Sequence, residues 1–61
     1  MTKYVFEATE MFGNRPAGFL GFYTSRARAR VATFGKTRRI RRVRVSLEFY
    51  SRILAGEETN A

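Results

Sequence analysis

Ser25 and Gly35 bracket a helix, and the chain beyond Gly35 changes period. Ser25, or Thr24 before it, can accept a hydrogen bond from a free backbone amide and so start a helix. The body between them, RARARVATF, is favourable helix material because of its alanines and arginines. Gly35 can adopt the left-handed conformation that ends a helix. Start and stop signals thus enclose about nine or ten residues. Past Gly35, Val43, Val45, Leu47 and Phe49 recur at every second position, with Arg42, Arg44, Ser46 and Glu48 between them. That spacing predicts a strand over residues 38–49 with one buried face. Ile40 falls outside the alternation, so it sits at the strand's start or a bulge shifts the register.

The helix is preceded by two further apolar segments. Residues 3–12, KYVFEATEMF, alternate loosely, with Tyr4, Phe6 and Ala8 on one face and Val5, Glu7 and Thr9 on the other. Their β-branched and aromatic content predicts a strand. Residues 13–18, GNRPAG, form a turn cluster, and FLGFY at 19–23 reads as a second strand, the pair making an antiparallel hairpin with a longer loop. At the C-terminal end Tyr50, Ile53 and Leu54 have helical spacing and predict a short helical turn before Gly56; a single helix over residues 46–55 is the competing reading. Residues 57–61 read as a frayed tail, leaving one domain over residues 1–56.

The expected fold is therefore α+β, an antiparallel three-stranded sheet with one helix packed on one face in the order ββαβ, plus the short C-terminal helix. Alternating strand directions allow the first strand to lie in the centre. The expected core is Tyr4, Phe6, Ala8, Leu20, Phe22, Ala27, Val31, Phe34, Val43, Val45 and Leu47. On a helical wheel Ala27, Val31 and Phe34 form the inner stripe, Arg26 and Arg30 flank it on one side, Arg28 flanks it on the other, and Ala29, Ala32 and Thr33 face outward.

The segment GFYTSRARARVATFGKTRRIRRVRV, residues 21–45, resembles the central pattern of small ββαβ domains of unknown function common in bacteriophages and prophages. In those domains a strand ending in glycine, an aromatic residue and a pair of hydroxyl residues leads into a short alanine-containing helix and then a charged strand. The likeness covers roughly residues 4–47. It implies the same fold and a phage or mobile-element origin, hence the cytoplasm of a bacterial host, but no activity and no functional residues. The chain departs from the pattern in sign: those domains are usually acidic on the helix and last strand, where this one carries arginine.

Charge supplies the functional argument. The net charge is +7, yet residues 24–45 alone hold nine basic residues and no acidic one. The rest of the chain sums to −2, from three basic and five acidic residues. Ten of the twelve basic residues are arginine, which bonds phosphate in bidentate fashion and stacks on flat rings. Polyanion binding follows as the first functional expectation. The candidate nucleic-acid contacts are Arg26, Arg28, Arg30, Lys36, Arg38, Arg39, Arg41, Arg42 and Arg44, with Tyr23 placed to stack on a base. In this reading Arg42, Arg44 and Ser46 share the outer sheet face with Val5, Glu7, Thr9, Phe19, Gly21 and Tyr23. The bland alternatives are cross-strand pairing of Glu7 with Arg42 or Arg44, and a protein contact on the aromatic face. The tripeptide Gly35-Lys36-Thr37 echoes a P-loop, but it lacks the preceding glycine at the required spacing and ends a helix instead of opening one.

Other classes are disfavoured. The chain has no cysteine and no histidine, which excludes disulfides and the usual zinc sites, and no cofactor is expected. Its carboxylate side chains are five glutamates, Glu7 and Glu10 fall on opposite strand faces, and no nucleophile–base pair can be built, so an enzyme is not expected. Glu7 and Glu10 interrupt the N-terminal apolar stretch, and the run at 19–23 is too short to span a bilayer, so the reading is of a soluble chain away from membranes. A DNA or RNA phosphate backbone is the leading partner. A host protein bound by an inhibitor or anti-defence module is the second, a nucleoprotein assembly the third, and a homodimer is open through the small-residue helix strip or the aromatic sheet face.

Overall fold

The computed structural model describes residues 2–59. Its elements are β1 (Thr2–Phe12), β2 (Arg15–Tyr23), α1 (Arg26–Ala32), β3 (Arg38–Ser46) and α2 (Leu47–Thr59). The three strands form one antiparallel sheet in the order β2-β1-β3, with β1 central as expected. The hairpin is tighter than the turn cluster suggested: Phe12 already pairs with Arg15, leaving Gly13 and Asn14 as a two-residue turn. Gly13 takes φ 62° while Asn14 keeps a negative φ, which suits a turn needing glycine at its first central position. The remaining turn-forming residues, Pro16 to Gly18, are absorbed into β2 through a register shift. A second shift, between Ala8 and Thr9, leaves Leu20 without a partner and turns Phe19 to the same face as Phe22. Their rings accordingly meet at 5.0 Å.

The β1–β3 ladder has no shift, so alternation assigns both sheet faces unambiguously. Lys3, Val5 and Glu7 lie on one face with Val45, Val43 and Arg41; Tyr4, Phe6 and Ala8 lie on the other with Arg44, Arg42 and Ile40. This corrects the expected core, which placed Tyr4, Phe6 and Ala8 on the same face as Val43 and Val45. Each face is covered by its own helix. α2 packs on the Val5 face, where Phe49 meets Phe22 edge-on at 5.1 Å and Tyr50 lies 5.2 Å beneath the Lys3 ammonium. α1 packs on the Ala8 face, where Arg26 lies over Phe6. Val5 and Ala8, on opposite faces, are both fully buried. The fold is α+β, but with two helices sandwiching the sheet and not one.

Two local corrections explain the difference. β3 ends at Ser46, because the Ser46 hydroxyl accepts the Phe49 N–H at 3.2 Å and opens α2 there. Leu47 and Phe49, read as strand residues, thus belong to a helix of 13 residues that continues through Thr59. The helix is longer than the expected turn and starts where the competing reading placed it; Asn60 and Ala61 lie outside the described residues. Second, α1 is rolled relative to its apolar stripe. Ala29 and Thr33 are buried against the sheet, whereas Val31 and Phe34 are 78% and 87% exposed, and Ala27 is exposed too. Ser25 caps the helix, accepting the Arg28 N–H at 3.1 Å. The buried Thr33 hydroxyl is satisfied by donating to the Ala29 carbonyl at 2.7 Å, so it costs little on the inner face. Small residues at the contact let a two-turn helix sit close to the backbone of the sheet. Tyr4 and Leu47, both expected in the core, are likewise exposed.

Candidate nucleic-acid interface

The roll of α1 decides where its arginines go. With Ala29 and Thr33 inward, about 100° per residue puts Arg26 and Arg30 on one flank and Arg28 on the other. The Arg26 flank turns toward β3, since Arg26 Nη1 makes a long 3.5 Å contact with the Ile40 carbonyl. Its guanidinium lies 5.1 Å from the Phe6 ring centroid. On β3 the Arg42 guanidinium lies 4.5 Å from the centroid of Tyr4, diagonal to it across the ladder, and Arg44 is the direct partner of Tyr4. One sheet face therefore carries two arginine–aromatic stacks, with Arg44 beside them and Arg30 one helical turn along from Arg26.

These arginines differ from Arg28, Arg41 and Arg52 in their electrostatics. Arg41 pairs with Glu7 at 3.2 Å, Arg52 with Glu48 at 2.9 Å, and Arg28 with Glu57 at 3.7 Å. Among the described residues no carboxylate lies within ion-pair distance of Arg26, Arg30, Arg42 or Arg44. Each is exposed. The alternative pairing of Glu7 with Arg42 or Arg44 is replaced by its pairing with Arg41, the residue directly opposite it on the α2 face.

The remaining candidates are dispersed. Lys36 is exposed in the turn after α1, where its N–H bonds the Thr33 carbonyl at 3.1 Å. Arg38 begins β3 opposite Glu10, with its Nε buried and without a hydrogen-bond partner. Arg39 and Arg41 point to the α2 face by alternation. Because β3 is an edge strand, the two sets of arginines flank that edge from both sides. Tyr23, directly opposite Phe6 across the β1–β2 ladder, lies on this same face, but it is half-buried with its ring against Gly21, where a Cβ would sit 2.9 Å from the Tyr23 hydroxyl. Gly21 has φ 155°, so both the backbone and this close approach select glycine there. The aromatic partners that sequence reasoning missed are Tyr4, 42% exposed, and Phe6. Their alternation with Val5 was visible, but not that β3 would align Arg42 and Arg44 beside them.

No helix among the described residues is long and apolar enough to cross a membrane. Nor do those residues contain a group of histidine, cysteine, aspartate or glutamate side chains suited to a metal ion. Comparison with protein-family models finds no match, and comparisons with curated proteins and with solved structures find none either.

Proposed function

We propose that this chain is a small, basic, non-enzymatic nucleic-acid-binding protein that holds a phosphate backbone with Arg26, Arg30, Arg42 and Arg44. The observation that carries the reading is the pair of ring contacts, Arg42 over Tyr4 and Arg26 over Phe6, with neither arginine ion-paired among the described residues and Glu10, the strand carboxylate of that face, placed opposite Arg38. Like charges gathered on one surface repel and disfavour the folded chain, so an anionic partner relieves them. Stacking fixes the guanidinium planes in advance, which reduces the ordering cost of each phosphate contact. Flat guanidinium and tyrosine surfaces also offer stacking positions for unpaired bases. Lys36, Arg38 and Arg39 extend the positive field at the start of β3. The likeness of residues 21–45 to phage domains extends the proposal to a mobile-element protein acting in a bacterial cytoplasm.

Fluorescence anisotropy with labelled single-stranded and duplex oligonucleotides tests the reading. Binding should weaken steeply with salt, each lost phosphate contact lowering the log–log slope by roughly 0.7 for single strands and 0.9 for duplex. Replacing Arg26, Arg42 and Arg44 together by glutamine should reduce the slope by about two to three. Replacing Arg28, which is engaged with the mostly buried Glu57, should reduce it by less than any one of these three. Absence of binding to any DNA or RNA at about 50 mM salt would end the proposal.

A further inference from the structure

The roll of α1 leaves an apolar surface that phosphate binding does not use. Ala27 and Val31 lie on the outer side of α1 and Phe34 in the turn after it, with Val31 and Phe34 among the most exposed large apolar residues. Beside them lies a groove of about 710 Å³ between α1 and α2. Phe22 contributes to its lining; Ala27, Val31 and Ala32 come from one helix, and Ile53 and Gly56 from the other. Arg28 and Arg52 line the same groove. It is separate from the arginine–aromatic face, because Arg28 and Arg26 project to opposite flanks of α1.

We infer that this groove receives an amphipathic helix of acidic character from a protein partner. Three features favour that occupant. First, small residues on both sides, Ala27 and Ala32 on α1 and Gly56 on α2, let a third helix approach closely, as helix-in-groove recognition requires. Second, the charged lining is predominantly positive in what it offers. Glu57, its one carboxylate, already accepts from Thr24 and is ion-paired with Arg28, whereas Arg52 is tied to solvent-exposed Glu48 by a pair that surface screening makes weak and exchangeable. Third, the net charge of +7 opposes a second copy of the chain in this position, and a phosphate backbone gains nothing from Val31 and Phe34.

Gly56 provides the decisive variant. A Cβ built there meets no atom within 4 Å, and its φ is not in the left-handed region. Gly56→Phe should therefore fold while filling the groove, and Gly56→Ala serves as a control that leaves it open. The probes are synthetic peptides of about 18 residues, long enough for helicity, with apolar residues at i, i+3, i+4 and i+7 and glutamates alongside. A panel carrying leucine, isoleucine or phenylalanine as the apolar residue is titrated into isotopically labelled protein. Chemical-shift changes should centre on Val31, Ala32, Ile53 and Gly56. Affinity should fall at least about tenfold with Gly56→Phe, and less than about threefold with Gly56→Ala. Oligonucleotide binding by Gly56→Phe should be unchanged. The inference is overturned if no peptide of the panel shifts these residues at millimolar concentration. It is equally overturned if composition-matched scrambled peptides bind as well, or if laurate or an oligonucleotide occupies the groove where the peptides do not.

Discussion

The Glu57 carboxylate accepts the Thr24 N–H at 2.8 Å and the Thr24 hydroxyl, and it lies 3.7 Å from the Arg28 guanidinium. Its side chain is 11% exposed, so these partners replace most of the water it would otherwise hold. The interaction ties the C-terminal part of α2 to the residue just before the cap of α1, two segments that the sheet separates. No acidic side chain sits in the first turn of α1, and Glu57 brings negative charge to that end from another element. Glu57→Ala removes the acceptor and leaves a partly buried amide and hydroxyl without a partner. It should cost about 1–3 kcal/mol in urea unfolding. Glu48→Ala also breaks an ion pair with arginine, but an exposed one within a single helix, and should change stability by less than about 0.5 kcal/mol. Equal effects of the two substitutions would show that Glu57 is an ordinary surface charge.

At the scale of elements, α1 separates what periodicity reveals from what it conceals. Its start is legible, since Ser25 caps it, but its end is not: Gly35 takes φ 85° in the turn that follows, whereas the helix already closes at Thr33, after seven residues and not nine or ten. Its inner face is not legible either, because a wheel ranks positions by hydrophobicity and cannot include the surface that receives them. Beneath α1 lies Ala8, fully buried, with Gly21 and Ile40 as its neighbours across the ladders. That surface takes Ala29 and Thr33 and leaves the bulkier Val31 outside. Ser46 shows a related limit: it continues the alternation of β3 and also caps α2, so the strand pattern runs past its structural end to Phe49. The same limit hid the platform, because Tyr4 and Phe6 were assigned to the core from their alternation alone. The roll of α1 predicts opposite outcomes at positions 29 and 31. Ala29→Leu adds volume at a fully buried site and should destabilise by about 1–3 kcal/mol. Val31→Gln should leave stability within about 0.5 kcal/mol of the parent. A helix packed through Ala27, Val31 and Phe34 would reverse that order, so paired urea titrations decide between the two arrangements.

Over the whole molecule, a small core carries a concentrated positive field. Val5, Ala8 and Ala29 are the fully buried apolar residues among those described, and a chain near 60 residues buries only about 60% of its unfolded surface. Arg26, Arg30, Arg42 and Arg44 add mutual repulsion on one side, and among the described residues none of them is ion-paired. Salt should therefore act in opposite directions on folding and on binding. Between about 20 and 200 mM sodium chloride, screening weakens repulsion in the free protein, and its Tm should rise by about 4–8 °C, the shift that ~1 kcal/mol produces in a domain of this size. Over the same range oligonucleotide affinity should fall, because releasing counterions into a saltier solution gains less entropy. Replacing Arg26, Arg42 and Arg44 by glutamine should raise Tm at low salt and flatten its salt dependence while weakening binding. A parent Tm that falls with salt would mean that the Arg41–Glu7 and Arg52–Glu48 pairs outweigh the repulsion. In that case the unpaired arginines would impose no strain for an anion to relieve, and the electrostatic basis of the proposed function would fail with it.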